Sequence, residues 1–154
     1  PKFVFLFIGN GYNNKLIKEF SIVHNLKNIK LLDYQPFEDL PFSLTSADLA
    51  LVSMDYKSAN LIAPSKLYGH LAAGSPIATI SPANSYLEEL VNSNNLGKSF
   101  RNGESTELKD WIINLEKDKK LRLSYSKNSR QYIIKNFTEE IITKKYLDLI
   151  NAVF

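Results

Sequence analysis

Residues 63–80, APSKLYGHLAAGSPIATI, place a cation where helix physics disfavours one. Pro64 suits the opening of a helix and Ser65 can cap it, so Lys66 falls in the first turn. The helix dipole opposes a positive side chain there by a few tenths of a kcal/mol. A bound diphosphate reverses the sign, because free backbone N–H groups, the dipole and the ammonium then act on one anion. Gly69 costs about 1 kcal/mol against alanine in a helix interior, which predicts a close-packed neighbour or ligand there. Gly74 and Pro76 end the helix in the usual order. The plain alternative for Lys66 is a solvated side chain.

Two further segments could meet a ligand. In IGNGYNN, residues 8–14, Gly9 and Gly11 flank Asn10 between a strand and a helix. Glycines there let backbone N–H groups approach a phosphate, although a plain tight turn reads the same and Asn14 breaks the full glycine fingerprint. LDYQPFEDLP, residues 32–41, leaves a strand with Tyr34, Gln35 and Phe37, which could face a flat ring or simply cover the core edge. The other chemical groups are poorer candidates. His24 and His70 have no acidic or thiol partner at a telling spacing and read as packing or surface residues. Glu88 and Glu89 are adjacent, about 100° apart on a helix, and make no paired-carboxylate site. Ser65 lacks a His–Asp companion, and no metal-ligand cluster stands out.

The elements that must position these residues follow from apolar periodicity. The chain has 154 residues, 44% hydrophobic and 23% charged, which suits one well-packed domain. Strand-length runs cover residues 2–8, 28–34, 48–54 and 76–80. Helical spacing covers 16–23, 38–47 and the segment opening at 64–66. This β-α-β-α order predicts an α/β fold with a parallel sheet, helices on both faces and right-handed crossovers. A helix at 85–95 ends near Gly97, and a short edge strand and turn occupy 98–104. A helix at 105–118 takes Ser105 as its cap and Leu108, Trp111, Ile112 and Leu115 as its stripe. Two last helices break at residues 135–140, with Thr138 capping the second. Ligands of open α/β sheets sit on the loops at the carboxyl ends of strands, where all three segments above fall.

Composition excludes several classes. No apolar run approaches 18 residues, no signal-peptide cleavage pattern opens the chain, and cysteine is absent. Absence of cysteine fits a cytoplasmic protein. The net charge is +3, and much of the excess sits in KDKKLRLSYSKNSRQYIIKNF, residues 117–137. That run reads as a solvated helix face or as a surface for an anionic partner; nothing like a nucleic-acid motif accompanies it.

Taken together, FVFLFIGNG, NIKLLDYQPFEDLPFSLTSADLALVSM, APSKLYGHLAAGSPIAT, NNLGKSFRNGESTELKDWI and SRQYIIKNFTEEIITKKYLDLI occur in the order found in the C-terminal, donor-binding domain of GT-B glycosyltransferases, and the chain resembles the family 4 type that builds bacterial polysaccharides. The resemblance covers nearly all of residues 1–154, read as a single nucleotide-sugar-binding domain, the C-terminal half of a GT-B fold. It implies a metal-free hexosyltransferase, retaining in stereochemistry, that takes a UDP- or GDP-sugar and needs no cofactor. The implied donor-binding residues are Gly9, Asn10, Gly11, Tyr34, Gln35, Pro64, Ser65, Lys66, Leu67 and Gly69, with Lys66 the catalytic group. Residues 53–64 would reach toward the sugar. The implied partners are the absent N-terminal acceptor-binding domain, without which this chain alone is inactive, and a membrane-surface or lipid-linked acceptor. The location implied is the cytoplasm, at the inner face of the membrane.

Two departures stand out. The family often carries two glutamates eight positions apart, the second holding the ribose hydroxyls; here those places are Leu61 and Gly69. The family's domain also has an earlier strand and helix before FVFLFIG, so the chain reads as part of a longer protein. The alternatives to a donor-binding domain are a non-catalytic binding or scaffold domain with an emptied site, and a GT-B-fold nucleotide-sugar epimerase.

Overall fold

The computed structural model describes residues 2–58 and 61–153. Contacts divide the chain within α2, at Phe42/Ser43, into two compact units, and each is described by itself.

The first unit is a β-α-β element. Strand β1 (Phe5–Ile8) leads through helix α1 (Asn14–Val23) to β2 (Ile29–Leu32). The two strands pair in parallel, from Phe5 opposite Ile29 to Ile8 opposite Leu32. α1 ends because Asn25 takes the left-handed conformation at φ 51. The Asn25 and Leu26 N–H groups then bond back to Ile22 and Ser21, at 3.1 and 2.8 Å. The strands were expected to be covered on both faces, yet Phe5, Leu6 and Ile8 of β1 are all more than a third exposed. A 3₁₀ turn (Phe37–Asp39) runs into α2 (Leu40–Thr45).

The second unit holds the core. β3 (Ala50–Ser53) is followed by a 3₁₀ turn (Tyr56–Ser58), α3 (Ser65–Ala73), β4 (Ile77–Ile80), α4 (Tyr86–Ser93) and β5 (Gly97–Phe100). β4 lies between β3 and β5, parallel to both, with Ala50 opposite Ile77 and Ile77 opposite Gly97. β4 is buried on both faces at Ile77, Ala78 and Thr79, as a central parallel strand must be. β3 alternates instead, with Ala50 and Val52 inward and Leu51 outward. Leu67 and Leu71 of α3, four residues apart on one helix face, pack with Leu87, Leu90 and Val91 of α4 against these strands. Tyr132 and Ile133 of α6 (Lys119–Asn136) close the cluster.

Several local expectations are corrected. α4 does not stop at Gly97: Asn95, at φ 51, turns the chain, and Leu96 N–H returns to the Val91 carbonyl at 3.0 Å. Gly97 is instead the first residue of β5, where a Cβ would overlap the Ile77 carbonyl, so two backbones meet. α5 (Ser105–Lys117) begins at Ser105, but its cap position is Glu104, without a side-chain capping bond. Asp118, expected inside α5, separates it from α6 and caps α6 by accepting the Leu121 N–H at 2.9 Å. The predicted stripe of α5 holds: Phe100 meets Trp111 edge-on at 5.5 Å, and Leu115 is buried. Thr138 caps α7 (Glu139–Val153) through the Ile141 N–H at 3.4 Å, as expected. Among the described residues no helix is long and apolar enough to cross a membrane.

Candidate functional site

The sequence-predicted site residues divide between the two units. Pro64, Ser65, Lys66, Leu67 and Gly69 lie on α3. Gly9, Asn10, Gly11, Tyr34 and Gln35 lie in the β-α-β element.

At α3, Pro64 holds the cap position at φ −65 and ψ 111, and no side chain caps the helix. Ser65 is therefore the first helical residue and not the cap expected of it. The Leu67 N–H turns back to the Pro64 carbonyl at 3.0 Å. The Ser65 and Lys66 N–H groups take no backbone acceptor among the described residues. Ser65 and Lys66 are both exposed, and Lys66 makes no ion pair among the described residues. Leu67 is fully buried in the core, so it fixes the helix in place and offers a ligand no side-chain surface. A cation and two open donors thus stand at the positive end of a nine-residue helix, the arrangement that attracts a phosphate.

Gly69 faces Leu44. A Cβ at Gly69 would lie 3.3 Å from Leu44 Cδ1, so a leucine tip fills the space a side chain would occupy. This is the close-packed neighbour that a mid-helix glycine predicts. One turn on from Lys66, the partly buried His70 keeps Nδ1 without a partner. Burial lowers its pKa, and the Lys66 charge lowers it further. Gly74 closes the helix at φ 73, with the Gly74 and Ser75 N–H groups bonded to Leu71 and His70. Arg130 of α6 donates to the Ala72 carbonyl at 2.7 Å, at the negative end of the same helix. Leu61 is 83% exposed, and residues 59 and 60 of the loop at 53–64 lie outside the described residues.

In the first unit, Gly9 is buried at φ 104 beneath the ring of Tyr34, whose Cε1 would sit 3.1 Å from an added Cβ. Gly9 is thus needed for its backbone shape and for the aromatic above it. Its N–H is already bonded to the Leu32 carbonyl at 2.9 Å and is not available to an anion. Asn14, which breaks the glycine fingerprint, donates to the Gly9 carbonyl at 2.6 Å and braces the turn. Asn10 and Gly11 are exposed. Tyr34 is 74% exposed and Phe37 81%, so neither covers a core edge. Gln35 bonds back to the Asp33 carbonyl at 2.9 Å.

Sequence reasoning missed a tyrosine cluster beside α3. The Tyr68 and Tyr86 hydroxyls meet at 3.1 Å, and the Phe137 ring lies 5.1 Å from Tyr68 and 5.8 Å from Tyr132. Burial, then the hydrogen bond with Tyr68, raises the Tyr86 pKa. Position 68 precedes Gly69 in the sequence, but only the packing of α4 and α6 shows where its ring goes. Glu88 serves structure: it accepts the Asn84 N–H at 2.6 Å and faces Arg101 at 3.9 Å. His24 lies exposed against the Phe20 ring at 4.3 Å.

Comparison with known proteins places this architecture. A solved structure titled "Crystal Structure of WaaG, a glycosyltransferase involved in lipopolysaccharide biosynthesis" superposes with a TM-score of 0.68 at 19% identity, covering 96% of this chain and 38% of that one. The shared fold is the Rossmann-like α/β arrangement of a GT-B domain. "Probable glycosyltransferase WbjE" of Pseudomonas aeruginosa is 25% identical over 96 residues, which are 62% of this chain and 24% of that protein. The chain therefore spans well under half the length of either relative. The family described as "Glycosyl transferases group 1" matches residues 1–132. A match over that much of the chain makes it a member of the group 1 glycosyl transferases.

Proposed function

We propose that this chain is the donor-binding part of a family 4-type glycosyltransferase, and that it grips a UDP- or GDP-sugar by its diphosphate at the start of α3. The observation that carries the reading is the exposed Lys66 beside the open Ser65 and Lys66 N–H groups, in a chain of this family. Lys66 is the catalytic group. When the bond from the anomeric carbon to the diphosphate oxygen breaks, its electron pair leaves with that oxygen. The ammonium and the two N–H donors then stabilise the charge that develops. Such fixed donors reorganise little during the reaction, and that is the source of their effect.

Asn10 and Gly11 offer backbone groups, and Tyr34 and Gln35 an aromatic face and an amide, to the nucleoside. The acceptor hydroxyl is supplied on a separate acceptor-binding domain, so residues 1–154 alone turn over no acceptor. Retention at the anomeric carbon, a lipid-linked acceptor and a place at the cytoplasmic face of the membrane belong to the same proposal. The glycosyltransferase names and polysaccharide roles of the relatives support it. A carboxylate at position 69, which would hold the ribose, is replaced here by glycine under Leu44. The nucleotide is thus held mainly by its phosphates.

The test is calorimetric titration of the chain with UDP, GDP and ADP, with thermal stability followed in parallel. Ligand at 100 times its Kd adds roughly 2.7 kcal/mol of stability. Binding of one nucleoside diphosphate that disappears in Lys66→Ala supports the proposal. Binding that is unaffected by Lys66→Ala removes Lys66 from it.

A further inference from the structure

The basic run at residues 117–137 becomes a single helix face. α6 is 18 residues long and contains no aspartate or glutamate. Its packed side carries Tyr125, Ser129, Tyr132 and Ile133, directed at Trp111, the core and Phe137. At 100° per residue, Lys119, Lys120, Lys127 and Lys135 fall within roughly 160° of arc on the other side. Leu123 and Ile134 lie between them and are 58% and 48% exposed. All four lysines are exposed, and none makes an ion pair among the described residues. The nearest carboxylates along the chain, Asp118 and Glu139, flank the helix ends. Asp110 of α5 is paired with Lys109 at 3.1 Å.

We infer that this face of α6 docks on an anionic lipid bilayer. Charge complementarity supplies the attraction, since each lysine near a negatively charged leaflet strengthens binding and acts over about a Debye length. The residues between the lysines decide the kind of partner. A surface for single-stranded nucleic acid pairs its cations with aromatic faces on which bases stack. Here the aromatics point inward and the interleaved side chains are aliphatic, suited to sinking into the boundary between headgroups and acyl chains. The helix then lies along the surface, with Leu123 and Ile134 as shallow anchors.

The experiment is co-sedimentation of the 154-residue chain with vesicles of one-third phosphatidylglycerol in phosphatidylcholine, against pure phosphatidylcholine. Binding is expected on the first, weakened by salt, and absent on the second. Replacing Lys119, Lys120, Lys127 and Lys135 by glutamine removes roughly fivefold per lysine, on the order of several hundred-fold in all. The same number of charges removed at Lys15, Lys18, Lys27 and Lys30 leaves binding largely in place. All eight side chains are exposed, so circular dichroism should find both variants folded. Equal binding to both vesicle types, or equal losses in the two variants, overturns the assignment. So does a single-stranded RNA oligomer that binds more tightly than the vesicles and is lost with the α6 lysines, since the face would then belong to nucleic acid.

Discussion

Gly69→Glu restores the carboxylate at the position where related domains hold the ribose, and its effects can be worked out from the packing. An added Cβ lies 3.3 Å from Leu44 Cδ1 and 3.9 Å from Cδ2. Leu44 is only half-buried, so its tip can turn aside, at an off-rotamer cost of about 0.5–1.5 kcal/mol. Removing a glycine from a helix interior returns about 0.5–1 kcal/mol. The two nearly cancel, and at 2–4 °C per kcal/mol for a chain of this size Tm should move by only about 2 °C. Affinity should move much more. A charge-assisted hydrogen bond to a ribose hydroxyl contributes about 1.5–3 kcal/mol, or about 10- to 150-fold in Kd. Calorimetry with UDP and GDP reads this directly. Gly69→Ala makes the same contact with Leu44 without the carboxylate and should show no gain. A 2′-deoxy nucleotide should forfeit part of the gain in the glutamate variant. Equal affinities for the alanine and glutamate variants would refute the ribose argument. A loss of stability above about 3 kcal/mol would show that Leu44 cannot yield, and the packing argument would fail with it.

Four other outcomes follow from the same structure. Leu71→Ala removes a fully buried side chain from under α3 and should cost 2–5 kcal/mol in urea unfolding, about the range for core leucines. Gly97→Ala sets a methyl against the Ile77 carbonyl at φ 155 and should cost about 3 kcal/mol or more; a wild-type midpoint would contradict the close approach of β4 and β5. Asp118→Ala removes the cap of α6 and should cost about 1 kcal/mol, read from the same midpoints. His70 is held below its ordinary value of 6.5 by burial and then by Lys66, so the unfolded chain takes up its proton first. Stability is therefore full above pH 6.5 and falls as the pH drops below it. The difference between midpoints at about pH 7.5 and about pH 5 should shrink in His70→Gln.

How much of this was legible depended on whether one short segment contained the whole cause. PIATI announced a buried central strand because its apolar residues are continuous, and the α5 stripe followed from spacing alone. Helix termini were less readable. Ser65 and Ser105 have the composition of caps, but the backbone turns one residue earlier, at Pro64 and Glu104, and both serines become helical. Asp118 sat within a charge run and looked solvated, yet one of its oxygens caps α6. Gly97 looked like a helix stop because glycine usually is one; its reason lies on β4, twenty residues away in sequence. The same distance hid Leu44 from Gly69 and Tyr86 from Tyr68. Burial of strands was overestimated where apolar runs stood in for packing, as at β1 and at Leu51. For the site, the sequence placed a cation at a helix start, and the structure adds that its neighbouring donors are open while the Gly9 N–H is occupied.

The tie from Arg130 to the Ala72 carbonyl bears on how α3 meets a ligand. Leu67 and Leu71 seat the middle of the helix in the core, the Gly74 turn fixes its end, and the guanidinium pins its last carbonyls to α6. The helix is thus rigid before anything binds, and an anion arriving at Ser65 and Lys66 has no coil to order there. Its binding entropy is then set by released water and counter-ions, and the part due to α3 should bring little change in heat capacity. Selectivity among anions at this end becomes a matter of charge and shape alone, because the helix cannot adapt to a poor fit.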